Sequence, residues 1–194
     1  PQRGRLREHW QLNVDMFGVT DQAADLEVIS VATSIMSAFG AKTEDYRVRV
    51  SSRNLLNTLL FEALQLNEDG AHQLTKLLDR KSKMPAEEFF TAAEAIVGQE
   101  IAVLEDYLGA VSVSELPERL VSTPAAIELG ETISQLKVRG IENAEFDPTL
   151  VRGFDYYTGV VFEVFDTNPE NPRSLFGGGR YDDLVGIFGV ESVP

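Results

Sequence analysis

The sequence is 194 residues long and sets 17 Lys and Arg against 31 Asp and Glu, a formal net charge of −14, with 43% hydrophobic and 25% charged residues. That is the composition of an ordinary globular protein, long enough for one or two domains and a real core; a pI near 4.5 argues against a whole-surface nucleic-acid binder but leaves room for a local basic groove. No apolar run approaches the roughly 20 residues that cross a bilayer, and the absence of cysteine removes disulfides, thiolate metal sites and a cysteine nucleophile and fits a reducing compartment.

The chain divides by texture into residues 1–64, 65–120 and 121–194. It opens with a basic loop, Pro1 to Arg7, holding three arginines and no acid. Trp10, Leu12, Val14 and Met16 then alternate with Gln11, Asn13 and Asp15, the period of a half-buried strand. Asp21 is placed to cap a helix carrying Leu26, Ile29, Ile35, Met36 and Phe39 and stopped by Gly40. Tyr46, Val48 and Val50 alternate with Arg47 and Arg49 as a second strand, and Asn54 to Leu64 reads as a helix. The middle region is helical and acidic. Leu74, Leu77 and Leu78 form a short stripe, and Pro85 with Glu87 and Glu88 starts a longer helix reaching Leu108. This region reads as a small helical insertion, with a substrate lid or docking surface as the sharper alternative.

The third region returns to strands. Thr123-Pro124 precedes a helix that runs to Val138 and ends at Gly140. Val160 to Phe165 is a strongly β-prone strand and Ser174 to Phe176 a short one. Gly177-Gly178-Gly179 breaks the pattern, and Tyr181 to Phe188 reads as a helix. Strands at both ends with helices between them predict an α+β fold with a mostly antiparallel sheet flanked by helices. The start at Pro1 and the stop at Val193-Pro194 lead us to expect an internal piece of a longer protein.

Four stretches could carry chemistry. The arginines of the opening loop suit phosphate oxygens, which guanidinium forks bind bidentately; a solvated basic terminus explains them equally simply. Gln11, Asn13 and Asp15 share one face of their strand, a row suited to a small polar ligand with Asp15 on an ammonium group, or merely to solvent. Leu150 to Gly159 sets Arg152, Asp155, Tyr156 and Tyr157 between glycines, directly before an apolar strand. There Arg152 could stabilise charge developing on a phosphoryl group or carboxylate. Gly177 to Gly179 would let backbone pass close to a ligand or another strand, and they match neither a dinucleotide fingerprint nor a Walker loop. His9 could stack on a base or sit partly buried, His72 reads as surface, and the two are too separated to argue for zinc.

Taken in order, these motifs resemble the catalytic domain of histidyl-tRNA synthetases, class II aminoacyl-tRNA synthetases. Pro1 to Gln11 is similar to the loop and second strand of class II motif 2. Leu150 to Glu163 and Gly177 to Val185 are similar to the two histidine-specific signatures. The resemblance implies ATP-dependent activation of L-histidine to histidyl-adenylate, then transfer to histidine tRNA, in a cytoplasmic homodimer that binds no membrane. Residue by residue it implies histidine binding by Gln11, Asp15, Arg152, Tyr156, Tyr157 and Tyr181, with Arg152 also catalytic. It implies ATP binding by Arg5, Arg7, His9, Gly178 and Gly179. ATP is a substrate, Mg2+ comes with its phosphates, and neither a prosthetic group nor a protein-held metal is expected. Asp15 thereby moves from solvent into a pocket. The resemblance also places the upstream motif 2 arginine, motif 1 and motif 3 outside these residues, so the piece alone is expected to be a poor enzyme. Two rival readings remain: the regulatory paralogue that partners ATP phosphoribosyltransferase, and a synthetase-like pseudoenzyme domain.

Overall fold

The computed structural model describes residues 8–151, 156–171 and 173–194. Helix α1 (Ala23–Ala38) begins where the Asp21 carboxylate accepts the Ala23 N–H at 2.7 Å and stops before Gly40, as its sequence predicts. It buries Leu26, Ile29 and Ala32. Strand β1 (Tyr46–Ser52) follows, with Val48 and Val50 fully buried and Arg47 and Arg49 on the other side. The Ser52 hydroxyl caps α2 (Arg53–Asn57) by accepting the Leu55 N–H at 3.5 Å. That helix continues as a wider π turn, Thr58–Ala63. The predicted helix over 54–64 is therefore present, wound in two geometries, and it buries Leu55, Leu56, Leu59 and Leu60.

The middle region is helical, as predicted. Helix α3 (Glu68–Arg80) is capped by Asn67, whose side-chain Oδ1 accepts the Gly70 N–H at 2.8 Å, and it buries Ala71, Leu74 and Leu78. The single helix expected from Pro85 to Leu108 is two, α4 (Ala86–Val97) and α5 (Ile101–Gly109). Gly98 separates them with φ +58°, a backbone angle no right-handed helix contains. Helix α6 (Glu118–Val121) is short. Helix α7 (Pro124–Val138) starts at Thr123, whose hydroxyl accepts the Ala126 N–H at 3.4 Å, with proline in its first turn.

Three further strands complete the sheet: β2 (Ala144–Phe146), which periodicity did not announce, β3 (Val160–Asp166) and β4 (Ser174–Gly179). The order is β2-β1-β3-β4. β1 pairs with β2 in parallel and with β3 antiparallel, and β3 pairs antiparallel with β4, so the expected α+β architecture with a mostly antiparallel sheet holds. Arg49 lies opposite Glu145 on one side and Glu163 on the other. Its guanidinium reaches Asp147 at 3.2 Å and covers the Phe165 ring at 4.4 Å. One buried apolar cluster joins the sheet residues Val48 and Val164 to Phe89, Leu104 and Tyr107 of the middle helices. Tyr107 meets Phe146 edge-on at 6.4 Å. Each such fully buried large side chain contributes about 1.5–3 kcal/mol.

Three expectations are corrected. Residues 8–20 form no strand: they pair with none of the four strands, and Trp10 and Leu12 are exposed. Alternation alone cannot make a strand without a ladder partner. The three glycines do not break β4 but extend it, pairing Gly177 with Glu163, Gly178 with Phe162 and Gly179 with Val161. Finally, Tyr181 to Phe188 is no α-helix. Only Val185–Phe188 winds, as a single 3-10 turn ending at Gly189: the apolar spacing of Tyr181, Leu184, Val185 and Phe188 is helical, but Ile187 and Phe188 stay exposed, and an apolar face with little to pack against does not sustain a helix.

Candidate functional site

The glycine half of β4 lies against β3 so closely that side chains are excluded. A Cβ on Gly177 would fall 2.4 Å from the Phe162 carbonyl oxygen, and one on Gly179 would fall 2.8 Å from Val161 Cγ1 and 2.9 Å from Tyr157 Cδ1. Glycine is what lets the tyrosine lie flat on this strand. A cavity of about 230 Å³ opens beside it, lined by Tyr156, Tyr157, Phe162, Glu163, Gly177 and Gly178, with Leu150 at one side. Glycine backbone, three aromatic side chains and Glu163 line it, which suits a small ligand with a flat part and a polar group.

Tyr156 and Tyr157 line this cavity, and Tyr181 and Asp15 lie outside its lining. Tyr157 packs against Tyr156 at 4.6 Å between ring centroids and stacks on Tyr181 at 6.3 Å. The Tyr181 hydroxyl donates a short hydrogen bond to the Asp15 carboxylate. That bond, with some burial, pushes the Tyr181 phenol up to about 12. Burial first, and then the neighbouring Tyr156 hydroxyl, raise the Tyr157 phenol further. Both therefore stay protonated at neutral pH and can act as fixed donors and acceptors rather than as acids or bases. A carboxylate accepts up to about four hydrogen bonds, so Asp15 can hold Tyr181 and still receive an ammonium group.

Sequence reasoning missed the residue that binds this site to the rest of the fold. The Arg180 guanidinium forks onto Asp25 at 2.9–3.2 Å and also donates to the carbonyls of Val19 at 3.1 Å and Asp21 at 3.0 Å. The Thr158 hydroxyl donates to Asp182 at 2.6 Å and accepts the Asp182 N–H at 3.0 Å, bracing the turn that follows. The only signal for Arg180 was a charge placed directly after three glycines. Nothing in the sequence linked it to Asp25, 155 residues away.

Of the residues implied by resemblance, the fold brings Asp15, Tyr157 and Tyr181 together, with Tyr156 and Gly178 at the cavity and Gly179 beneath Tyr157. Gln11 is exposed, and its side-chain amide donates to Asn13 at 2.7 Å rather than toward the tyrosines. His9 is exposed in the same segment. Arg5, Arg7 and Arg152 lie outside the described residues. Among the described residues no group of three His, Asp or Glu side chains could hold a metal ion, and no helix is long and apolar enough to cross a membrane.

A sequence model of the histidyl-tRNA synthetase family matches residues 1–193. The chain belongs to the histidyl-tRNA synthetase family. It is 44% identical over 199 aligned residues to a histidine–tRNA ligase of Leptospira biflexa serovar Patoc, covering all of this chain and 45% of that relative. The chain thus spans about half the length of the curated relatives it matches. A histidyl-tRNA synthetase from Nostoc sp. PCC 7120 superposes with a TM-score of 0.77 over 92% of this chain and 44% of that one, at 23% identity, which speaks to the fold alone. An ATP phosphoribosyltransferase regulatory subunit/histidyl-tRNA synthetase from Bacillus halodurans C superposes with a TM-score of 0.76 at 26% identity, over 92% of this chain and 48% of that one. The family's fold is thus the class II catalytic fold expected from the motifs.

Proposed function

We propose that the full-length protein is a histidine–tRNA ligase, and that the cluster of Asp15, Tyr157 and Tyr181 is its histidine pocket. The observation that carries this reading is the meeting of the Asp15 carboxylate with two protonated phenols beside a bare glycine strand, in a chain matched by the family over residues 1–193. In this reading Asp15 and Gln11 hold the substrate α-amino group, and a tyrosine hydroxyl reads an imidazole nitrogen, with Tyr156 closing the rim. A carboxylate oxygen of L-histidine attacks the α-phosphorus of ATP, and pyrophosphate leaves with the electrons of the broken bond. Histidyl-adenylate remains. A hydroxyl of the terminal tRNA ribose then attacks its carbonyl carbon, and AMP leaves.

By the family resemblance, Arg152 contacts the α-phosphate and the substrate carboxylate, while Arg5, Arg7 and His9 lie by ATP and Gly178 and Gly179 give it backbone to rest on. These roles are positional and electrostatic, because the protein supplies little covalent chemistry to such transfers. Magnesium arrives on the ATP phosphates. A homodimer working in the cytoplasm fits the family.

ATP–pyrophosphate exchange by the full-length protein tests this. Exchange that needs L-histidine, ignores D-histidine and is lost in Arg152→Ala is the expected result; the 194-residue piece alone should exchange poorly or not at all. A second reading is favoured by the likeness to the Bacillus halodurans protein, an ATP phosphoribosyltransferase regulatory subunit/histidyl-tRNA synthetase. Under it the full-length protein shows no exchange and instead binds an ATP phosphoribosyltransferase.

A further inference from the structure

The polar end of the pocket hangs from a segment without secondary structure. Residues 8–20 join no sheet, and Asp15 is exposed, yet its carboxylate meets a tyrosine 166 residues away. An exposed segment does not hold one carboxylate in register unless something else fixes it. The side chain placed to do so is Arg180, next to Tyr181 in the chain. Its backbone is locked to the sheet: the Arg180 N–H donates to the Val160 carbonyl and its own carbonyl accepts the Thr158 N–H, both at 2.8 Å. Its stem lies on Gly159, where a Cβ would sit 2.9 Å from Arg180 Cδ. The guanidinium then reaches the other way, to Val19, Asp21 and Asp25. Side-chain exposure is only 14% for Arg180 and 8% for Asp25, so water does not compete well for these bonds. The guanidinium also reaches Asp182 at 3.4 Å, and a planar fork serves these four partners at once, which a lysine ammonium on a flexible stem does poorly.

We propose that Arg180 is a positioning residue: it clamps residues 19–25 to the end of β4 and thereby holds the Asp15 carboxylate against Tyr181. The consequence for ligand binding rests on the histidine pocket proposed above. Arg180 touches no substrate and works through Asp15.

The test uses the full-length protein with Arg180→Lys, Tyr181→Phe and the double variant. Arg180→Lys keeps the charge beside Asp25 but loses the fork, and should weaken L-histidine binding about tenfold by calorimetry while ATP affinity stays within about twofold. In hydrogen exchange, the Gly18, Ala23 and Ala24 amides, which donate to the Pro194 carbonyl and to Asp21, should exchange faster while the β1 and β3 amides do not change. If Arg180 acts through the Asp15–Tyr181 contact, adding Arg180→Lys to Tyr181→Phe costs less than about threefold more. Independent, multiplying losses would overturn the proposal, as would unchanged exchange at Gly18, Ala23 and Ala24 in a folded variant. Faster exchange in a protein whose wild type binds no L-histidine would sustain the clamp and reject the histidine pocket. Should Arg180→Lys fail to fold, Asp25→Asn keeps an acceptor for the fork without its charge, and the same exchange readout decides.

Discussion

Two regions of this molecule are held in different ways. The framework of β1, β3, α2 and the middle helices is secured by an apolar cluster in which Val48, Leu59, Phe89 and Leu129 are fully buried. The polar rim, made of residues 8–20 and the stretch from Arg180 onward, has almost no buried apolar surface; Trp10, Ile187 and Phe188 are exposed. It is fastened by a handful of directional contacts: Arg180 on Asp25, Tyr181 on Asp15, and the Gly18 N–H on the Pro194 carbonyl at 2.8 Å. Burial stabilises the first region without regard to direction. Hydrogen bonds and one buried ion pair shape the second, where direction matters for a ligand. The candidate site lies on the boundary, with the glycine strand on the framework side and Asp15 on the rim.

The sharpest way to break the comparison is to damage the framework. Phe89→Ala should cost about 3–5 kcal/mol in urea unfolding, the range for emptying a fully buried aromatic site; a loss below 1 kcal/mol would mean the core is not packed as described. Gly177→Ala should follow, at about 1–3 kcal/mol, since its Cβ would overlap the Phe162 carbonyl oxygen. This change should also disturb the cavity floor, so L-histidine binding should fall with stability. On the rim, Tyr181→Phe should leave the unfolding midpoint nearly unmoved but weaken L-histidine binding about tenfold, the scale of one hydrogen bond involving a charged group.

The phenol of Tyr181 offers a pH test of the same contact. A folded-state value raised to about 12 means that the folded protein holds this proton more tightly than the unfolded chain. Its stabilising effect is complete below pH 10 and is lost as pH climbs through about 12. Asp15→Asn should bring the Tyr181 midpoint back toward 10 in an ultraviolet difference titration. The smallest effect is expected at Trp10, where Trp10→Ser should change stability by less than about 0.5 kcal/mol.

The same division explains what could be read from the sequence. β1 and β3 were legible because Val48, Val50 and the run from Val160 to Phe165 carry strand periodicity and are buried in fact. α1 and α7 were legible from Asp21, Thr123-Pro124 and Gly140, whose local chemistry sets helix ends. β2 was not, because three residues give no period, and the break at Gly98 was read as helix because one glycine in a helical pattern is tolerated. Residues 8–20 show the reverse error, since alternation predicts a strand only when a neighbouring strand is there to pair with it. At the site, alternation singled out Asp15 and the glycine-bounded stretch singled out Tyr157, but only the family motifs put both in one pocket with Tyr181. Arg180 escaped notice because, Asp182 apart, its partners Val19, Asp21 and Asp25 come from more than 150 residues upstream, and no local pattern encodes such a contact.

The most direct test of the account is calorimetric titration of the full-length protein and its Asp15→Asn variant with L-histidine, with D-histidine as control. Saturable binding of the L-enantiomer only, weakened at least about tenfold by Asp15→Asn with the fold unchanged by circular dichroism, is the predicted result. Equal binding by both proteins, or none by a folded wild type, would contradict the claim that Asp15 and the tyrosines form a histidine pocket.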